Sequence, residues 1–210
     1  MNAPLPPPPS APGEPRDPSR SSHYVTDAFY RALIENFTAW QDDRRAVVDA
    51  AVRDEFRQLI EREARLLDQL RYEDWLAMYS PECIYWVPST PQAGDPRREI
   101  AVMFDDRRRL EDRIYRLRTG FAWSQAPASR TVRLVTNVEV FATADPDARM
   151  LRSNFLISEF WGDETRVLTG FAGHRVLRHE SGLAGGWKIQ AKQVNLIDCD
   201  QSIRNPSIIL

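Results

Sequence analysis

The chain has 210 residues, which suits one domain and a tail, and its 42% hydrophobic, 28% charged and 10% aromatic content is enough to fill a sizeable core. A formal net charge of -2 supplies no electrostatic attraction to nucleic acid or to an anionic membrane. No apolar run approaches the roughly 18 residues needed to span a bilayer. The N-terminus lacks a basic segment followed by an apolar one, so the expected address is the cytoplasm. Cys83 and Cys199, far apart in sequence, are then expected to be reduced and structural, not a disulfide.

Eight of the fifteen prolines fall between Pro4 and Pro18 among Ser, Gly and Ala, too little apolar surface to offset the entropy of ordering. Residues 1–22 are read as a disordered arm, a solvated tail in preference to a proline-motif ligand. Residues 23–45 form a helical extension in which Phe29, Leu33, Phe37 and Trp40 recur at helical spacing. That stripe can lie on its own domain or on a neighbour. The main domain is placed at 46–210.

A longer helix is predicted from Arg45 to Leu70, with the stripe Val48, Val52, Phe56, Leu59, Ile60, Leu67 and Leu70. A short helix through Trp75, Leu76 and Tyr79 is stopped by Ser80-Pro81, and Ile84–Val87 reads as a compact strand. Pro88, Pro91, Gly94 and Pro96 mark a loop. Between Asp105 and Arg118 lie six arginines and four acids over the helical stripe Met103, Leu110, Ile114 and Leu117. Asp105 with Arg109, and Asp112 with Arg116, stand four apart and can pair on a solvated helix face.

After Pro127 the period becomes alternating, with Val132, Leu134, Thr136, Val138 and Val140 on one face of a strand over 131–141. Strands follow at 150–160, 165–179 and 187–198, the first two joined by a tight turn at Trp161-Gly162-Asp163-Glu164. Successive strands with short turns pair antiparallel. The result is an α+β layer: a curved antiparallel sheet with helices on one face, forming a half-open cone. Gly170 and Gly173 suit a kink or bulge in the third of these strands. The apolar ending Ile208-Ile209-Leu210 needs a surface to pack on.

The chemistry-bearing patterns are few. An iron–sulfur cluster needs about four Cys, or two Cys and two His, at close spacing, and neither cysteine has such a neighbour. The histidines are His23, His174 and His179, and the last two point to opposite faces of a regular strand. No GxGxxG, GxxxxGK[ST] or GxSxG motif occurs. One acid–base arrangement stays open: His174, on the apolar face with Leu168, Gly170, Ala172 and Val176, paired with Asp68 or Tyr72 in a small cavity. Its plainer counterpart is a core histidine satisfied by a carbonyl or a tyrosine hydroxyl.

The run from Arg113 through Arg118, Trp123 and Pro127-Ala-Ser-Arg-Thr131 to Asn137-Val138 resembles the small (β) subunits of Rieske-type aromatic-ring-hydroxylating dioxygenases. Glu63-Ala-Arg-Leu-Leu-Asp68, Tyr72, Trp75 and Ile84-Tyr-Trp-Val-Pro88 are similar to that family's opening, so the resemblance covers about 55–210. The first 45 residues or so are a departure, longer than the family pattern. The resemblance implies a nuclear transport factor 2-like, cystatin-like cone, as in ketosteroid isomerase, and an α3β3 hexamer in bacterial cytoplasm. It implies that the α subunit holds the Rieske [2Fe–2S] cluster and the mononuclear iron, with electrons from NADH arriving through a reductase or ferredoxin. This chain then has no catalytic, cofactor or metal residue and contacts α and other β subunits. Arg116, Arg118, Trp123, Arg130, Arg133 and Leu210 become candidate interface residues, because Arg and Trp bury large areas with directional hydrogen bonds. A stand-alone cone-fold isomerase or dehydratase, and a ligand-binding or dimerisation module without catalysis, are the alternatives.

Overall fold

The structure, a computed structural model, describes residues 23–91, 93–119, 122, 125, 127–183 and 186–210, with backbone alone at 181–183. The expected proline-rich arm and Trp123 lie outside the described residues. The elements in chain order are α1 (Asp27–Phe37), α2 (Ala50–Asp68), α3 (Tyr72–Ala77), β1 (Tyr79–Pro88), β2 (Ala101–Asp106), α4 (Arg107–Thr119), β3 (Arg130–Ala142), β4 (Ala148–Trp161), β5 (Glu164–Leu183) and β6 (Trp187–Leu196). The six strands form one sheet in the order β2-β1-β6-β5-β4-β3. Every neighbouring pair is antiparallel except β1 with β6, which run parallel. β6 thus returns to lie beside β1, a junction that short hairpins do not predict.

Helices α1 and α2 begin where the sequence supplies a cap. Thr26 accepts from the Phe29 amide at 3.3 Å, and Asp49 from the Val52 amide at 3.0 Å. At the end of α2 the Arg71 amide reaches the Leu66 carbonyl and the Leu70 amide the Leu67 carbonyl, while Leu70 takes φ 55°. This is a Schellman reversal built on leucine in place of glycine. It folds α3 back beneath α2 and carries Trp75 into the core.

Helices α2 to α4 cover one face of the sheet, and the main core lies between them. α1 packs on the other face, where Leu33 meets Ile84, Trp86 and Ala191. Trp40, just past the helix, continues onto Phe141 and Met150. The N-terminal stripe is therefore satisfied by its own domain. Gly173 makes this contact possible: a Cβ there would stand 2.9 Å from Trp40 Cζ2 and 3.1 Å from Phe37 Cε1. Gly170 likewise lies against the Asn195 carbonyl. Both glycines serve close approach, and the register shifts of β5 fall later, at Arg175/Val176 and Arg178/Leu183.

Other expectations change: α3 ends at Ala77, and Tyr79, Ser80 and Pro81 open strand β1 instead of closing the helix. Met103 and Asp105 belong to strand β2, and α4 starts only at Arg107, where Asp106 accepts from the Arg109 amide at 2.8 Å. Asp105 accordingly pairs with Arg113 at 2.6 Å, while Asp112 pairs with Arg108 at 3.0 Å. In β3 an irregularity between Thr136 and Glu139, with Asn137 at φ 51°, inserts an extra residue. It turns Val132 and Leu134 to the outside, each 60% exposed, and Val140 inward. The β4–β5 turn forms as expected, Gly162 and Asp163 both taking positive φ as a two-residue hairpin requires.

Replacing Gly173 by Val drives a branched side chain into Trp40 and Phe37. Overpacking of this kind costs about 1–3 kcal/mol. Urea unfolding followed by tryptophan fluorescence should show that loss, and an unchanged midpoint would mean that α1 is not seated on the sheet.

Candidate functional site

One row of side chains crosses the inner face of all six strands: Val140, Leu151, His174, Lys192, Tyr85 and Asp105, each paired in register with the next. Two members of this row are polar residues at the centre of the cone, His174 and Lys192, exposed by only 1% and 6%. Above them α2 points its apolar stripe, Phe56, Ile60 and Leu67, into the core. Glu63 occupies the turn of that stripe between Ile60 and Leu67, so it too is buried.

Four donors surround the Glu63 carboxylate. Oε1 accepts from Tyr79 Oη at 2.6 Å, Lys192 Nζ at 3.1 Å and Trp75 Nε1 at 3.2 Å. Oε2 lies 3.0 Å from His174 Nε2. Burial alone would raise the Glu63 carboxyl, but Lys192, His174 and the hydrogen bonds from His174 and Tyr79 outweigh it and hold the group well below its usual range. Glu63 therefore stays ionised and has no proton to share, so the proton of the His174 contact sits on Nε2. Burial, opposed by the pull of Glu63, lowers the pKa of both His174 and Lys192. His174 Nδ1 is buried without a partner among the described residues. The far side is closed by residues 208–210: Lys192 Nζ donates to the Leu210 main-chain oxygen at 3.0 Å, and the Tyr85 hydroxyl donates to the same atom.

The structure does not join His174 to Asp68 or Tyr72. Asp68 accepts from the Thr131 hydroxyl at 2.8 Å and the Arg133 amide at 2.9 Å, and ion-pairs with the Arg133 guanidinium. Tyr72 lies beneath Arg118, 5.7 Å from ring centroid to guanidinium carbon. The acid–base pair of the isomerase alternative is thus replaced by Glu63–His174. Both oxygens of its carboxylate are engaged, and its approach is closed by Leu210, so it acts in this arrangement as a charge network of the core. Cys83 is no nucleophile either, since burial pushes its thiol up to about 12. Among the described residues no three His, Cys, Asp or Glu side chains converge to hold a metal ion.

The interface candidates divide in two. Arg133 and Leu210 face their own core, Arg133 through Asp68 and the Ile209 carbonyl, Leu210 at 3% exposure. Arg116, Arg118 and Arg130 are exposed; Arg118 pairs with Glu73, and Arg130 lies 4.6 Å over the Phe160 ring. The sequence reading missed Glu63 and Lys192 as site residues. The available signal was an acid at the missing step of an apolar helical stripe, which demands a buried cation opposite.

The comparisons with known proteins agree with one another. A family model described as ring hydroxylating beta subunit matches residues 62–201. The 2-halobenzoate 1,2-dioxygenase small subunit of Burkholderia cepacia is 40% identical over 84 residues, 38% of this chain and 51% of that relative. The 3-phenylpropionate/cinnamic acid dioxygenase subunit beta of Photorhabdus laumondii is 30% identical over 163 residues, 74% of this chain and 89% of the relative. Among solved structures, the beta subunit of the Burkholderia mallei benzoate 1,2-dioxygenase aligns with TM-score 0.58 at 26% identity, covering 78% of this chain and 99% of that one. A chain of naphthalene 1,2-dioxygenase with bound indole shares the fold, with TM-score 0.67 at 22% identity over 91% and 98% of the two chains.

Removing the Glu63 side chain strands the Lys192 ammonium in the core. Breaking a buried ion pair from one side costs about 3–5 kcal/mol, so Glu63→Ala should lower the urea midpoint accordingly, and an unchanged midpoint would mean that the network carries no weight. The pH response has a fixed sign. A free imidazole takes its proton near 6.5 and a free glutamate near 4.5, and both groups are lowered in the folded chain. The unfolded chain therefore binds more protons as pH falls, so the share of stability carried by these two groups is present above those values and lost first below 6.5, through His174, and again below 4.5, through Glu63. His174→Gln should abolish the first step, read by urea unfolding at pH 7.5 and 5.5.

Proposed function

This chain belongs to the ring-hydroxylating beta-subunit family, and from that premise we propose that it is a non-catalytic scaffold holding an α3β3 assembly together. It is the β subunit of an aromatic-ring-hydroxylating dioxygenase and so a component of an oxidoreductase. The observation that carries the scaffold reading is the cone interior. Glu63 pairs there with both His174 and Lys192, and Leu210 covers them in this structure.

The catalytic metals of our reading, a Rieske [2Fe–2S] cluster and a mononuclear iron, reside in the partner α subunit. That subunit oxidises the aromatic ring with O2 and electrons passed from NADH through a reductase or ferredoxin. This chain contributes surface. Exposed Val132 and Leu134 on β3 lie in register, across β4, with Val167 and Thr169 on β5, and Arg130 stands over Phe160 beside them. An apolar sheet face rimmed by arginine supports a protein partner there. Arg116 and Arg118, exposed on α4, are proposed as a separate contact patch. The cytoplasmic address remains part of this proposal, and no described helix is long and apolar enough to cross a membrane.

Native mass spectrometry of the chain purified from its host should find a larger partner in equal number, near a hexamer, carrying iron and sulfide. A homo-oligomer without iron would overturn the scaffold reading. In the assembled enzyme, the double substitution Arg130→Glu with Leu134→Asp should shift the population toward free subunits. The isolated chain's circular dichroism should stay unchanged.

A further inference from the structure

Residues 203–210 follow β6 without regular structure, yet Ile208, Ile209 and Leu210 are as buried as the core, at 3%, 4% and 3% exposure. No strand ladder includes them. Their main-chain oxygens are received by side chains, in a repeated pattern. Arg113 donates to the Pro206 carbonyl at 3.4 Å, Arg133 to that of Ile209, and Lys192 to Leu210 at 3.0 Å, with Tyr85 as second donor on Leu210. Each of the three cations is held at the same time by its own acid: Arg113 by Asp105, Arg133 by Asp68, Lys192 by Glu63.

These receptors therefore do not depend on the strap for their positions. If it left, the three ion pairs would persist and present free N–H groups and the Tyr85 hydroxyl around an apolar pocket, the preorganised condition that favours binding. The strap is also anchored at one point behind the pocket. Asn205, fully buried, donates to Glu159 at 2.6 Å and accepts from the Ser207 amide at 3.2 Å. Its seal is imperfect, leaving a cavity of about 10 Å³ against Leu67, Tyr72, Arg133, Ile208 and Ile209, the room of about one water.

We infer that the mouth of the cone is a binding site for a small, branched apolar ligand ending in an acyl oxygen, and that residues 206–210 occupy it as an intramolecular ligand. The shared chemistry is an oxygen acceptor on an apolar body, either a carboxylate or a carboxamide. This goes beyond the scaffold reading and does not rest on it, since binding is read on this chain whatever assembles around it. As a tethered competitor the strap acts at an effective concentration on the order of millimolar.

The test uses the purified assembly with the chain intact and with the chain stopped after Asn205, titrated calorimetrically with acetyl-Ile-Ile-Leu as free acid and as amide. The stopped form should bind at least one probe about tenfold or more tighter than the intact form does, and Lys192→Met should abolish most of that gain. Preference for the acid assigns a carboxylate ligand, and equal binding assigns the neutral acyl oxygen. A folded, stopped form that binds neither probe, or binds equally well with Lys192→Met, overturns the inference. Should stopping the chain prevent folding, Ile209→Cys in the intact chain reports on strap opening. Mass spectrometry should show it labelled by a thiol reagent much faster than the buried Cys83 and Cys199, and faster still with the probe present. Labelling no faster than those two cysteines overturns the inference.

Discussion

A charge can be buried in a protein only together with its counter-charge and its hydrogen bonds, and in this fold that condition falls on Glu63. Meeting it recruits one group from almost every layer: Trp75 from α3, Tyr79 from β1, His174 from β5 and Lys192 from β6. A slip of one residue in β5 or β6 would turn His174 or Lys192 to the outer face and take that partner from the carboxylate. The network therefore selects one register of the sheet among those the apolar residues alone would tolerate. The parallel junction between β1 and β6 serves the same network, since it sets Lys192 beside Tyr85 and within reach of Glu63.

Much of the architecture was legible because its signals are local. The stripe Phe56, Ile60 and Leu67 gave α2, Gly162-Asp163 gave the hairpin, and the alternation of β4 to β6 gave the sheet. Where the reading failed, two patterns overlapped or a distant residue decided the outcome. Met103 and Leu110 stand seven apart and mimic two turns of one helix, although Asp106 caps the chain between them and makes the first a strand residue. The alternation of β3 carries no trace of the extra residue at Asn137 that reverses its faces. The partner of His174 was unreadable for a third reason. Glu63 is 111 positions away, and a single acid on an apolar stripe looks like a gap in the pattern until its cation is placed opposite.

The resulting division of labour fits a β subunit. Inward-facing ionisable groups neutralise each other, and the outward features are arginines over aromatic rings and an apolar sheet face. The cone is packed by the chain's own residues 208–210. A packed interior of this kind resists deformation, in keeping with the scaffold role proposed above.

The parallel pairing of β1 with β6 also governs when the molecule can exist at all. Tyr85 is made about a hundred residues before Lys192, its register partner, and the chain between them supplies the rest of the sheet. Closing so long a loop precedes any reward from the contacts it brings, which makes such topologies slow to fold. During synthesis, β1 and the Glu63 face of α2 must wait, apolar and unpaired, until residues 187–210 have left the ribosome. A nascent chain in that state is prone to aggregate or to engage chaperones. Matching the output of this subunit to that of its partner is thus a problem of timing as well as of number.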